Sequence, residues 1–236
     1  MQAIIMAAGY GRRIAEISKE NPKSFLELNG EKLIERAVRL LKARGIEDIT
    51  VVTGYRPELF HELLGDSVHF RHNPLYFCTN VLSSFAVGMD KISDEFIFLH
   101  ADTVFAEPIL DRLISNSSAG IILPVDFKVC AEEEMKVILD DRGFVKEINK
   151  TMGLDVAAGE FIGMAKISSS MLDRLKGAVH QELKERHNHQ EYFEAAVQNL
   201  IDDGVDVGVV PTGDDPWIEI DFPEDYERVK VLFPER

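Results

Sequence analysis

Cysteine, positive charge and long apolar runs are all scarce in this chain. Two cysteines in 236 residues, Cys78 and Cys130, lie too far apart for a metal-type spacing and are too few for a disulfide framework. The setting expected from that usage is reduced and cytoplasmic. No apolar stretch approaches membrane-spanning length, and MQAIIMAAGYGRR is too short and wrongly flanked for a secretory signal, so no membrane partner is expected. Lys and Arg number 26 against 41 Asp and Glu, a net charge of −15. Proteins that bind nucleic acid gain affinity by neutralising phosphates with basic side chains, which argues against such a partner here. Repeats, low-complexity tracts and an evident linker are missing too, and no Ser-His-Asp-like grouping is seen. Of seven histidines only HNH at 187–189 clusters, on a polar stretch that reads as solvated rather than metal-binding.

What is present is ordinary in bulk, with 45% hydrophobic and 28% charged residues, enough to build a core without staples. The charge is unevenly placed. Residues 1–44 hold nine Lys/Arg against five Glu, a balance of +4, so the rest of the chain carries −19. A basic island on an acidic protein points to a small anionic ligand rather than a polyanion. Lys32, Arg36, Arg39, Lys42 and Arg44 within it read simply as the wet face of a helix.

Apolar runs and amphipathic stretches alternate along the first half. Residues 2–8, 48–55, 67–73 and 95–102 read as strands; EKLIERAVRLLKARG, ELFHELLG and the segment from Val81 read as helices. After residue 119 the texture turns to extended segments, with DDRGF as a hairpin turn. Helices follow at SMLDRLKGAV and around HQEYFEAAVQNLIDDG, then strands DVGVVPTG and WIEID and a last helix PEDYERVKVLF. This predicts one α/β domain over residues 1–236, with a mostly parallel Rossmann-like sheet flanked by helices and an elaborated second half. Ligands in such folds sit at the carboxyl ends of strands. The glycine loop after residue 8, TGY at 53–55 and HAD at 100–102 all fall at such ends.

Gly9 and Gly11 follow the first strand directly. A dinucleotide fingerprint would need a third glycine where Ile14 stands, and a Walker A loop would need a Gly-Lys-Ser/Thr run that is absent. The missing glycine removes a NAD-dependent reductase. A bare Gly-x-Gly is often only a tight turn. It also lets backbone approach a base or phosphate closely and exposes N–H groups to anionic oxygens. Arg13 and Lys23, the latter stiffened by Pro22, are then placed to reach one triphosphate from two sides. The bland alternatives are a surface salt bridge for Arg13 and a solvated loop for Lys23.

AAGYGRRI followed by NPKSFLELNGEKLIERAV resembles the signature of the sugar-phosphate nucleotidylyltransferases, and among them the small cytidylyltransferases that activate phosphocholine, 2-aminoethylphosphonate or inositol phosphate. The resemblance continues through TNVLSSF, HAD, GEFIGMAKIS and WIEIDFPEDY. It implies a nucleotide-diphospho-sugar transferase-like fold, with residues 1–118 as a nucleotide-binding half and 119–236 as an acceptor-binding half. The reaction it implies is attack of an acceptor phosphate or phosphonate on the α-phosphorus of a nucleoside triphosphate, CTP favoured, with release of pyrophosphate. An acceptor phosphate with a second pKa of about 6 needs no general base, so positioning and charge neutralisation carry the chemistry. By the same resemblance Arg13 and Lys23 are catalytic, Arg13 on the β/γ-phosphates and Lys23 toward the α-phosphate. Asp102 and Asp221 are Mg²⁺ ligands, with capping as the alternative for each. Ala7, Ala8, Gly9, Gly11, Asn80 and Ser83 join Arg13, Lys23 and Asp102 around the nucleotide; helix capping explains Asn80 almost as well. Arg12 departs from the family pattern of a small or hydroxylated residue and is either neutral or in contact with a phosphate.

In a strand WIEID, Trp217, Glu219 and Asp221 share one face. If Asp221 faces the metal, Glu219 and Trp217 line the same cavity farther out, a carboxylate and an indole suited to an ammonium group. Tyr192 with Glu191 or Glu194, and Glu160, are further candidates for the acceptor pocket. Lys128, Lys136 and Lys150 could each meet the acceptor phosphate, with Lys150 preferred. The acid-rich surroundings favour a phospho-amino-alcohol or aminophosphonate, against the plain reading of aromatics as core and Glu219 as solvated. Rival readings are a hexose-1-phosphate enzyme using UTP or dTTP and a catalytically silent domain of the same fold. A homodimer is compatible with all of them.

Overall fold

The computed structural model describes residues 1–235. Its framework begins with β1 (Gln2–Ala7), whose six residues are all buried, as expected of a parallel strand covered on both faces. A loop and the short α1 (Ala15–Ser18) lead to a hairpin of β2 (Glu27–Leu28) and β3 (Glu31–Lys32). Then follow α2 (Leu33–Lys42), β4 (Ile49–Thr53), α3 (Pro57–Leu64), β5 (His69–His72), α4 (Val81–Gly88) and β6 (Phe96–His100). The order β5-β4-β1-β6 is parallel throughout. The pleat of β1 divides the core: Ile4 and Met6 join the cluster built with Leu82 and Phe85 of α4, while Ala3 and Ile5 join Ile34 of α2 and Phe60 of α3.

Residues 103–118, which the sequence reading leaves unassigned, hold β7 (Thr103–Phe105) and α5 (Glu107–Ser115). Pro108 at the start of α5 fits a first helical turn, and Ile109, Leu110 and Leu113 bury one face. The second half adds β8 (Ile121–Asp126), the β9 (Lys136–Leu139) and β10 (Val145–Asn149) hairpin, β11 (Gly159–Phe161) and β12 (Met164–Ile167). Then come α6 (Leu172–His180), α7 (Phe193–Asp202), β13 (Val207–Pro211), β14 (Trp217–Glu219) and α8 (Pro223–Leu232). One ten-stranded sheet runs through both halves of the chain. It is parallel at its start and mixed beyond β6, because β12 runs antiparallel to both β6 and β8. Helices α2, α3 and α5 cover one face, and α4, α6 and α7 the other. No described helix is long and apolar enough to cross a membrane.

Two features outside the main sheet set up the site. β14 pairs antiparallel with β7, placing Glu219 opposite Thr103, and the Ile220 N–H donates to the Asp102 carbonyl at 3.1 Å. The chain between β11 and β12 bends at Gly163, where φ is +75°. A Cβ there would come within 2.9 Å of His100 Nδ1 and 3.1 Å of Thr103 Oγ1, so glycine is what lets this bend pass the end of β6. Gly163→Ala is expected to cost about 1–3 kcal/mol, read as a lowered urea midpoint.

Candidate active site

The loop after β1 carries Gly9 and Gly11 to a single turn at Arg12–Ile14. Gly11 has φ +67°, and a Cβ on it would sit 3.0 Å from the Lys23 Cβ, so the glycine seats the lysine. Pro22, extended at ψ 143°, then starts the turn that opens with Lys23. The Lys23 ammonium reaches Asp102 Oδ2 at 2.5 Å and Asp221 Oδ1 at 2.6 Å. Burial pushes its pKa down, but Asp102, Asp221 and Glu219 more than offset this and hold it above the usual lysine range. Asp102 is likewise penalised by burial, yet Lys23 and His100 keep it below the usual carboxylate range. Arg13 stands at the mouth, Nη1 3.9 Å from Asp221 Oδ2 and its guanidinium 5.1 Å from the Phe222 ring centroid.

These groups open into a cleft of about 320 Å³ walled by Ala8, Gly9, Tyr76, Asn80 and Ser84. A niche of about 130 Å³ beneath it is lined by Ala7, Gly11, Lys23 and Asp102. Arg12 is exposed and lines neither. Ser83, expected at the base, instead lies 3.5 Å from the His189 carbonyl. A helix turns by about 100° per residue, so with α4 starting at Val81 it is Ser84 that faces the cleft. Asn80 does line the cleft, but its amide is engaged: Oδ1 caps α4 at the Val81 N–H, and Nδ2 donates to the Gln190 carbonyl at 3.1 Å.

A second recess of about 470 Å³ continues from the cleft, and Lys150, Tyr192, Glu219 and Asp221 line both. Glu160, Glu194 and Trp217 form its far wall. Burial raises the Glu194 carboxyl above its ordinary value although His100 pulls it down. His100, at the end of β6, lies with Nδ1 3.8 Å from Glu219 Oε1. Burial lowers its pKa, but Glu219, Asp102 and Glu194 raise it on balance. Within HAD the sequence reading assigns a site role to the aspartate alone. A histidine two residues ahead of a strand-end carboxylate was the available signal. Glu133, which the sequence reading does not single out, also lines both cavities.

The three candidate lysines differ sharply. Lys136 is 1% exposed and donates to the carbonyls of Ala131, Glu132 and Glu134, so it ties down its own loop and is not offered to an acceptor. Lys128 pairs with Glu134 at 2.8 Å and Glu160 at 2.7 Å. Lys150 lies 4.9 Å from the Tyr192 ring centroid, at the junction of the cavities.

Two carboxylates thus share the Lys128 ammonium, and burial pushes the deeper one, Glu160, from 4.5 up to about 7 despite it. Above pH 4.5 the unfolded chain gives up this proton first, so the contribution of Glu160 to stability falls as pH rises to about 7 and then levels. Glu160→Gln, which mimics the protonated form, is expected to gain roughly 1–3 kcal/mol on wild type across that interval. Urea midpoints of both proteins at pH 4.5 and 7.5 check this.

Asp102 and Asp221 offer hard oxygens within 2.6 Å of one nitrogen, a donor set that suits magnesium beside phosphates. His100, Asp102 and Glu219 also bring one ligand atom each within 4.8 Å of one another. The residues therefore fit a divalent ion, provided the Lys23 ammonium moves off the two aspartates.

The family described as MobA-like NTP transferase domain matches residues 3–187. The chain belongs to this family. The matched stretch of this NTP transferase includes the glycine loop, Lys23, Asp102, Lys150 and Glu160, and ends before Tyr192, Trp217, Glu219 and Asp221. The transferase is 28% identical to the CTP:phosphoglutamine cytidylyltransferase of Campylobacter jejuni over 96% of this chain and 98% of the relative. It is 30% identical to the 2-aminoethylphosphonate cytidylyltransferase of Lancefieldella rimae, over 93% and 87%. The solved CTP:phosphocholine cytidylyltransferase of Streptococcus pneumoniae superposes with a TM-score of 0.82 at 21% identity, covering 98% of each chain, which shows the shared fold.

Proposed function

We propose that the protein transfers CMP from CTP to a small phosphate monoester or phosphonate that carries an amine, releasing pyrophosphate. The observation that carries this is the continuity of two unlike spaces. A glycine-lined cleft with Lys23 and Arg13 at its floor and mouth opens into a recess walled by Glu160, Glu194 and Glu219. Polyphosphate fits the first, and a cationic tail fits the second. The cytidylyltransferase relatives, two of which act on nitrogen-bearing acceptors by name, support both the nucleotide and the acceptor class.

In this reading an acceptor oxygen attacks the α-phosphorus as the bond to the β-phosphate oxygen breaks, and the electron pair leaves with pyrophosphate. Lys150, at the junction, receives the acceptor phosphate or phosphonate. Arg13 meets the β/γ-phosphates from the mouth. Asp102 and Asp221 would hold magnesium, which would supply charge neutralisation for the triphosphate. The Lys23 ammonium, held by those aspartates here, transfers to the α-phosphate oxygens, where negative charge is concentrated. No side chain need act as general base, since the acceptor oxygen is anionic at neutral pH.

The test is pyrophosphate release with Mg²⁺ and each of CTP, UTP, dTTP, GTP and ATP, against phosphocholine, 2-aminoethylphosphonate, inositol phosphate and glucose-1-phosphate. Release with CTP and an amine acceptor is expected. Release only with UTP or dTTP and glucose-1-phosphate would favour the hexose reading, and none with any pair would favour a silent domain.

A further inference from the structure

The recess has two aromatic walls, and the chain's own ammonium groups lie against both. Lys150 Nζ is 4.9 Å from the centroid of Tyr192, and Lys128 Nζ is 5.6 Å from that of Trp217. Lys128 is fixed there by Glu134 and Glu160. Trp217 is fixed in turn, its indole N–H donating to Asp126 Oδ2 at 3.1 Å, while Thr212 donates to the other oxygen at 3.2 Å.

A quaternary ammonium carries no N–H and is held mainly by aromatic faces. Here the Tyr192 and Trp217 faces turned toward Lys150 and Lys128 already carry an ammonium group. A primary ammonium instead needs hydrogen-bond acceptors. One stands in the same recess: Glu194 is 4% exposed, and no donor among the described residues reaches its Oε2. A buried carboxylate oxygen without a donor is costly unless a ligand supplies one. Glu219 adds a second carboxylate to the lining of the same recess.

We propose that the recess selects a primary amine over its N-trimethyl counterpart, with Glu194 Oε2 as the specificity-determining acceptor of an amine N–H. This deepens the transfer reaction proposed above and rests on it. Glu191, the other glutamate considered from the sequence, is held by Asn188 Nδ2 at 2.9 Å and does not line the recess.

The experiment uses the wild-type protein with CTP and Mg²⁺, and 2-aminoethyl phosphate with its N-methyl, N,N-dimethyl and N,N,N-trimethyl derivatives. Pyrophosphate release gives kcat/KM for each. The value is expected to hold while an N–H remains and to fall by about tenfold or more at the trimethyl step, mostly through KM, because a hydrogen bond to a charged group is lost. In Glu194→Gln the primary amine is expected to lose about tenfold and the trimethyl compound much less, narrowing the ratio. A trimethyl compound turned over as well as the primary amine, or a Glu194→Gln variant that weakens both alike, overturns the inference while leaving the reaction standing. Absence of release from the whole series and from every other acceptor overturns the reaction and the inference with it. The wild-type series decides the matter even if the variant does not fold.

Discussion

Lys23→Ala is expected to lose about 10²–10³-fold in kcat, the scale set by removing one preorganised donor from a developing oxyanion. Lys23 Nζ is the group that lies within 2.6 Å of both Asp102 and Asp221. Arg13, the nearest other cation at this point, is 3.9 Å from Asp221 with its side chain 59% exposed, too far out to take over. Removing the ammonium leaves two carboxylates facing a triphosphate. The loss falls on kcat because Lys23 supports the α-phosphate oxygens as the acceptor attacks, an interaction that is strongest in the transition state. Lys23→Arg keeps the charge but brings a planar fork into a seat shaped for a narrow stem, so it is not expected to restore turnover. Lys23 is part of a short turn outside the main sheet, and far-UV circular dichroism of the variant should match wild type. Retention of more than a tenth of wild-type kcat would remove Lys23 from the chemistry.

Asp102→Asn is expected to have a comparable effect, about 10²–10³-fold or greater in kcat. Asparagine is nearly isosteric and keeps an oxygen to accept from Lys23, so the change isolates the charge. Asp102 lies beside the end of β6, below the usual carboxylate range despite burial, as a group committed to a cation would be. Titrating activity with Mg²⁺ should show the variant needing far more metal than wild type. Chelation of the wild-type protein should abolish turnover, with restoration on adding Mg²⁺. A variant with an unchanged Mg²⁺ requirement would move the metal away from Asp102.

The parts of this molecule that could be read from sequence are those set by local pattern. β1 and β6 are apolar apart from Gln2 at the start of one and His100 at the end of the other, and α2 carries its apolar positions on one broad face, so their type and the strand-end placing of the glycine loop and HAD follow directly. β7 is three residues long and owes its existence to a partner strand more than a hundred residues away, which no local pattern records. Its neighbour α5 has a proline at its second position and runs nine residues, close to the limit of what periodicity resolves. Side-chain direction was harder still. A strand alternation carried Trp217 and Glu219 to one face, but the choice between Ser83 and Ser84 depends on the first residue of α4. Lys128, Lys136 and Lys150 are chemically identical in sequence. Only the tertiary fold gives the second three carbonyls, the first two carboxylates and the third an aromatic ring at the junction.

The most direct test of the account is the identity and stoichiometry of the product from CTP and 2-aminoethylphosphonate, with Mg²⁺ and catalytic amounts of the protein. Separation by ion exchange and mass spectrometry would follow CTP, conjugate and pyrophosphate together. One CMP–phosphonate conjugate and one pyrophosphate are expected for each CTP consumed. CTP broken down to free CMP with no conjugate, or CTP left intact with this and every other amine acceptor, would contradict the account.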